Sequence, residues 1–107
     1  MSMTEEEKTR YELQSYMFKA LAHPVRIQLL DRLKTRSWCV CELAVEVGID
    51  KSVASKHLSQ LKEAGLIDDE KRGTQVEYRL VAPCVLELAN CAVGMVLENR
   101  KRKLGLA

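Results

Sequence analysis

Four cysteines are the residues of this 107-residue chain whose type and spacing best suit a chemical role. Cys39 and Cys41 are separated by one residue, whereas Cys84 and Cys91 stand apart from them later in the chain. Polarisable thiolate sulfur binds soft metal ions, and a thiolate is also the reactive form in redox chemistry. Because we expect a cytoplasmic protein with reduced thiols, metal binding or redox chemistry is favoured over a disulfide framework.

The pair at Cys39 and Cys41 carries a geometric constraint. On a regular helix, residues two apart point about 200° away from each other. The two sulfurs can therefore share one ion only if the first helical turn is irregular or deforms on binding. Such a deformation would change the start of the helix that supports the next helix in the chain. The alternative interpretation is that both cysteines are small interior residues.

Different roles are predicted for the two later cysteines. Cys84 follows Pro83 in the first turn of a last helix, where the helix dipole promotes the thiolate, so it is the candidate third ligand. Cys91 lies about 10.5 Å further along the helix axis, too far to share an ion or a disulfide with Cys84. Because Cys91 is in line with Leu88 and Met95, we expect it to pack as a small apolar residue. Simple packing is an open alternative for Cys84 as well.

A short helix, a glycine turn and a longer helix follow the first cysteine pair. Apolar residues at spacings of three and four predict the short helix over 41–47, and Gly48 ends it. Asp50 or Ser52 caps the longer helix, which extends to about Ala64. This order is typical of a helix-turn-helix, whose second helix enters the DNA major groove. We expect the DNA contacts of this helix to come from Lys51, Ser52, Ser55, Lys56, His57 and Gln60. For His57, packing beneath the helix is an equal alternative.

A β-hairpin is predicted next. Residues 66–68 are typical of a short strand, and residues 76–80 alternate apolar and polar side chains with a period of two. The tip between them carries Lys71, Arg72 and Thr74. We expect these three residues to contact the flanking DNA backbone or minor groove, as the wing of a winged helix does.

Three more helices complete the predicted fold. Thr4 caps a first helix that runs to about Leu21, Pro24 opens a second, and Pro83 opens a last helix that continues past Leu97. The wide apolar face of the last helix predicts packing against a partner. The predicted fold is mainly α with a small β-hairpin, a winged helix-turn-helix in the order ααααββα that forms a homodimer through its first and last helices. We expect one domain over 1–107, with a core over about 12–97 and frayed tails at 1–4 and 101–107.

Composition excludes several classes of protein. No apolar run approaches the roughly 20 residues that span a membrane, and the acidic N-terminus is unlike a secretory signal, so we expect a cytoplasmic protein. The net charge of +2 is too small to decide on nucleic acid by itself. An enzyme is not expected, because the chain has no phosphate-binding glycine loop and neither histidine has a readable nucleophile and acid beside it.

Several segments together resemble the ArsR/SmtB family of winged-helix metalloregulators. The resemblance runs over about residues 12 to 97 in matching order and spacing, and its motifs are His23-Pro24-Val25-Arg26, Ser55-Lys56-His57-Leu58, Ala64-Gly65-Leu66-Ile67 and Tyr78-Arg79-Leu80. The family implies a homodimeric repressor that binds double-stranded operator DNA without a cofactor and leaves it when a metal or metalloid binds.

The segment Cys39-Val40-Cys41-Glu42-Leu43 is similar to the arsenite and antimonite branch of that family. The resemblance implies As(III) or Sb(III) as the inducer, captured by Cys39 and Cys41. Members of that branch often have a further cysteine three residues on, where this chain has Ala44. Since trivalent arsenic prefers three sulfurs, Cys84 is the expected substitute. A Cd(II) or Pb(II) sensor and a thiol-redox or persulfide-responsive repressor are the alternatives on the same fold.

Overall fold

The structure is a computed structural model that describes residues 2–105. Its five helices and three strands follow the predicted order, with one added strand before the third helix. The elements are α1 (Glu5–Leu21), α2 (Pro24–Leu33), β1 (Trp38–Cys39), α3 (Val40–Val47), α4 (Lys51–Glu63), β2 (Ile67–Arg72), β3 (Gln75–Leu80) and α5 (Cys84–Lys103).

The helix ends follow from local sequence. Thr4 caps α1, its Oγ1 accepting the backbone N–H of Glu7 at 3.1 Å. Pro24 begins α2, and the Nδ1 of His23 accepts the N–H of Val25 at 3.1 Å. Gly48 ends α3 in the left-handed conformation, with φ of 77°, which glycine adopts without a steric cost. The turn that sets α3 against α4 is therefore specified by one residue.

The core lies where α2, α3 and α4 meet. Its most deeply buried members are five leucines: Leu29, Leu30, Leu43, Leu58 and Leu61. Only the end of α1 joins this core, through Ala20, and only the start of α5, through Val85 and Leu86. Tyr11 and Phe18 of α1 are about half exposed because the rest of that helix leaves the core.

The sheet has three antiparallel strands in the order β1-β3-β2. The hairpin pairs Ile67 with Leu80 and Arg72 with Gln75, and the turn at its tip is made by residues 73–74. β1 pairs with the other edge of β3, with Trp38 opposite Tyr78 and Cys39 opposite Glu77. The sequence did not predict β1, since two residues are too few to display an alternating pattern.

Most of helix α5 extends beyond the part that packs against the rest of the subunit. It includes residues 101–103, which were expected in a frayed tail, and residues 1, 106 and 107 of the expected tails lie outside the described residues. Beyond Leu86 its side chains are mostly exposed. No helix within residues 2–105 combines the length and hydropathy needed to cross a membrane.

Candidate nucleic-acid interface and thiol site

Helix α4 presents a small polar face away from the core. Ala54, Leu58 and Leu61 form its buried stripe, as the spacing predicts. The opposite side carries exposed hydroxyl, amide and ammonium groups, which can donate to or accept from base edges and phosphates. The structure brings together on or beside this face five of the six predicted contact residues: Lys51, Ser52, Ser55, Lys56 and Gln60. Ser55 is half-buried, and the other four are exposed.

His57 lies at the side of α4 that packs against α2. Its Nδ1 accepts a hydrogen bond from the Nε of Arg26 at 3.2 Å, and its ring lies 4.4 Å from the ring of His23. Burial lowers the pKa of His57, and the charges of His23 and Arg26 lower it further. This environment fits the packing alternative, because a neutral ring is needed to accept from Arg26.

The hairpin tip carries two basic side chains. Lys71 and Arg72 end β2, and Gly73 and Thr74 form the turn, with Gly73 in the left-handed region at φ of 63°. The Arg72 guanidinium is already occupied, since its Nε lies 3.2 Å from Glu77 and its terminal nitrogen lies 3.6 Å from Glu70. These two ion pairs of Arg72 were not predicted from the sequence.

One ion pair connects this hairpin to the end of α4. The ammonium of Lys62 lies 2.9 Å from the carboxylate of Asp69 on β2. The hydrogen bond to Asp69, followed by the charge of that carboxylate, raises the pKa of Lys62. Within the hairpin, Arg79 and Asp68 form a second pair at 3.1 Å. The Lys62–Asp69 pair therefore links the hairpin to α4, with the modest stabilisation expected of an exposed ion pair.

Cys39 lies at the junction of β1 and α3. It is the N-cap residue of α3, in extended conformation, and is 5% exposed. Its backbone N–H donates to Oε1 of Glu42 at 3.3 Å, which is the return bond of a capping box. Hydrogen bonds from the Cys39 side chain and backbone, then from Arg36, lower the pKa of Glu42. The capping box was missed because cysteine stands where serine or threonine usually marks the motif.

Cys41 lies in the first turn of α3 and is exposed. Because Cys39 precedes the helix in extended conformation, the separation of about 200° expected within a regular helix does not apply. The irregular start that chelation requires is therefore present. The two thiols are in different environments, since Cys39 is buried and Cys41 is exposed.

Cys84 and Cys91 are both exposed on α5. Within residues 2–105 of one subunit, no three His, Cys, Asp or Glu side chains are placed to hold a metal ion, so the structure does not bring Cys84 to the first pair. The expectation that Cys91 packs in the interior is wrong for a single subunit. Its helix has left the core by that point, and Cys91 lies instead on the uncovered side of α5.

Trp38 and Arg36 surround the thiol junction and were not predicted as site residues. The guanidinium of Arg36 lies 3.5 Å from the centroid of the Trp38 ring and also contacts Glu42 at 3.4 Å. The indole Nε1–H of Trp38 donates to the carbonyl of Arg32 at 3.0 Å. Trp38 is the single tryptophan of the chain, so its fluorescence reports on this junction.

Comparison with known proteins places this geometry in a family. The family model described as "Bacterial regulatory protein, arsR family" matches residues 23–69. The HTH-type transcriptional regulator Rv0081 of Mycobacterium tuberculosis is 35% identical over 99 residues, covering 89% of this chain and 87% of the relative. The biofilm growth-associated repressor of Xylella fastidiosa is 31% identical over 102 residues, covering 95% and 89%.

A solved structure agrees on the fold. The homodimeric winged helix-turn-helix DNA-binding domain Mb0332 from Mycobacterium bovis superposes with a TM-score of 0.78 at 26% identity, covering 94% of each chain. The family is one of DNA-binding transcriptional regulators and not of enzymes. By its fold, its exposed recognition helix and its relatives, the chain belongs to the ArsR/SmtB family of winged helix-turn-helix transcriptional repressors.

Proposed function

We propose that this protein is a homodimeric repressor that binds operator DNA through α4 and the hairpin wing and releases it when As(III) or Sb(III) binds Cys39 and Cys41. One observation carries the proposal: Cys39 is the N-cap of α3, the helix that packs directly against α4. A ligand that moves Cys39 therefore acts on the element that supports the recognition helix.

The homodimer is supported by the apolar side chains that α1 and α5 leave uncovered. Helix-turn-helix proteins commonly bind as dimers to two half-sites about 34 Å apart, so the spacing of two α4 helices has to be fixed by such an interface. The homodimeric relative Mb0332 is consistent with a second copy as the occupant. The large apolar residues exposed on the two helices are Tyr11, Leu13, Tyr16, Phe18, Leu88, Val93, Met95, Val96 and Leu97.

Binding would proceed by exchange at arsenic. Each thiol replaces one hydroxyl of arsenous acid, forming an As–S bond, and the released hydroxide leaves with the thiol proton as water. Two such steps join Cys39 and Cys41 to one arsenic and leave a third position, which a hydroxyl or another thiol fills. Because α5 of a single subunit does not bring Cys84 to the pair, Cys84 of the partner subunit is the candidate for that position.

Movement of Cys39 would alter two sets of contacts. The first is the capping box, in which Glu42 accepts the Cys39 N–H. The second is the pairing of β1 with β3, in which Cys39 lies opposite Glu77. The capping box fixes the start of α3, which packs against α4, and the β1–β3 pairing lies along the wing. Both elements that would contact DNA are therefore affected. Inducer binding and operator binding then favour different conformations, which is the condition for coupling.

The test is a titration of arsenite into the reduced protein bound to a fluorescent duplex, read by anisotropy. The duplex is selected from a random-sequence pool by binding to the parent protein. Parent protein should leave the duplex, whereas Cys39→Ser and Cys41→Ser should bind it and stay bound. Cys91→Ser is the matched control and should respond as the parent does. Full response of both first variants would contradict the assignment.

A thiol-redox or persulfide response is the second candidate, because Cys41 is exposed on α3, outside the proposed dimer interface, and so accessible to oxidants. The same anisotropy experiment separates the two candidates. Release with polysulfide or peroxide but not with arsenite would support the second candidate against the first. Release with Cd(II) or Pb(II) alone would instead indicate a sensor of soft divalent ions.

A further inference from the structure

Three charged side chains form a cross-strand cluster at the base of the wing tip. Glu70 on β2 lies directly opposite Glu77 on β3 in the strand register. Side chains of directly paired residues project from the same face of a sheet, and Arg72, two residues after Glu70, shares that face. The Nε of Arg72 lies 3.2 Å from Glu77, and its terminal nitrogen lies 3.6 Å from Glu70.

This arrangement gives Arg72 a role within the hairpin itself. Two carboxylates directly opposite each other on one face of a sheet are destabilising, and a cation between them offsets the repulsion. Glu77 makes the shorter contact and is the less exposed of the two acids, at 36% of its side chain against 63% for Glu70. Glu77 is therefore the better fixed partner of the Arg72 guanidinium.

The neighbouring base, Lys71, is in a different environment. Successive residues of a strand project from opposite faces, so Lys71 lies on the other side of the hairpin from the cluster. Both bases are exposed near the tip, but of the two only Arg72 is paired with carboxylates, because Asp69, the acid on the same face as Lys71, is paired with Lys62. The two adjacent bases should thus contribute unequally to DNA binding.

We propose that Glu77 is a positioning residue that competes with operator phosphate for Arg72 and so limits the contribution of the wing to DNA affinity. A phosphate can engage the guanidinium fully only by displacing the carboxylate, which acts as an internal anion. The proposal rests on the contact between wing and DNA that the proposed function includes, and it is independent of the inducer. Glu77 thereby joins the wing to β1, since it is also the residue paired with Cys39.

The experiment compares Glu77→Gln with Glu70→Gln on the selected duplex, by anisotropy over a range of salt concentrations. Both variants remove one negative charge from the same hairpin, so Glu70→Gln is a matched control for net charge. Glu77→Gln should lower Kd roughly two- to fivefold, in proportion to an exposed ion pair. It should also steepen the salt dependence by up to about 0.9 per wing, and Glu70→Gln should have the smaller effect.

A double-mutant cycle then isolates the pair. In an Arg72→Gln background, Glu77→Gln should no longer change Kd, because its target is absent. An equal gain in both backgrounds, or equal gains from the two glutamates, would overturn the proposal. If neither Lys71→Ala nor Arg72→Gln weakens DNA binding, the wing contact of the proposed function fails and the inference fails with it. Unfolding midpoints of each variant confirm that the hairpin has not been lost.

Discussion

The proposed DNA-binding surface of α4 and the wing differs from the thiol junction at Cys39 and Cys41 in how its residues depend on the rest of the molecule. Lys56, Gln60 and Lys71 are exposed side chains on a helix and a hairpin, each free to act on its own. Cys39, in contrast, is buried, caps a helix and pairs with a strand of the wing. Substitutions in the first region should change affinity residue by residue, whereas changes in the second should alter the response to inducer.

Loss of the dimer should have the largest effect, because it removes the framework that both regions share. Met95 is 67% exposed on α5, in the apolar surface that we propose packs against the partner subunit. A buried charge there is costly, so Met95→Asp should yield monomers and weaken binding to the selected duplex by about a hundredfold or more. Sedimentation velocity and anisotropy measure the two effects.

Val45→Asp is the control for Met95→Asp. Val45 is 83% exposed, but it lies on α3, away from α5. The same charge placed there should leave the protein dimeric. A dimeric Met95→Asp, or a monomeric Val45→Asp, would show that the interface has been placed on the wrong helix.

Removal of a single basic residue should have the next largest effect, which is confined to DNA binding. Lys56→Ala on α4 and Lys71→Ala on the wing should each weaken binding by roughly fivefold to tenfold, with a loss of about 0.9 in the salt slope for each phosphate contact removed. The response to arsenite should not change. The control is Lys34→Ala. Lys34 pairs with Asp31 at 3.6 Å and lies outside the proposed DNA interface. A changed arsenite midpoint in either DNA-contact variant would contradict the separation of the two regions.

Weakening the capping box should have a smaller effect, which falls on the response to arsenite rather than on DNA binding. Glu42→Gln weakens the bond that holds the Cys39 N–H, so the thiol becomes easier to expose. The arsenite midpoint should fall by roughly twofold with little change in Kd for DNA. Glu46→Gln is matched in charge and helix, since Glu46 pairs with Arg32 at 3.1 Å and does not contact Cys39. Equal shifts in both variants would argue against a role for the cap.

The smallest expected effect is a pH dependence of stability caused by His57, where α4 packs against α2. Its lowered pKa means that the folded protein favours the neutral ring that accepts from Arg26. This contribution to stability is complete above the unfolded pKa of about 6.5 and is lost as pH falls through the lower folded value. The urea midpoint of the parent should therefore drop between about pH 7.5 and 5.5 by more than that of His57→Gln. Parallel losses would exclude His57 as the cause.

The fold was largely predictable because its signals are local. Thr4, Pro24, Gly48 and Gly73 mark helix ends and a turn, and the spacing of apolar residues marks the buried face of α4. The exposed positions of Lys51, Ser52, Lys56 and Gln60 on α4 followed from the same pattern. Each of these features depends on residues within a few positions of one another, so it can be predicted from the sequence alone.

The thiol junction could be predicted only in part. The spacing of Cys39 and Cys41 pointed to the site, but its geometry depends on β1, whose partner Glu77 is far along the chain. A strand of two residues is too short to show an alternating pattern, so its pairing with a distant residue cannot be predicted from the sequence. The same holds for Arg72, whose occupation by Glu77 follows from the hairpin register. Cys91 was placed in the interior because helical spacing does not distinguish the core of a subunit from a surface open to a partner.

We propose that inducer binding moves Cys39 and thereby loosens both the start of α3 and the pairing of β1 with β3. Amide hydrogen exchange of the reduced protein, with and without arsenite, tests this most directly. Exchange should rise in residues 38–42 and 75–80 of the parent and stay unchanged in Cys39→Ser. Release of DNA by arsenite without faster exchange in those two segments would contradict the claim.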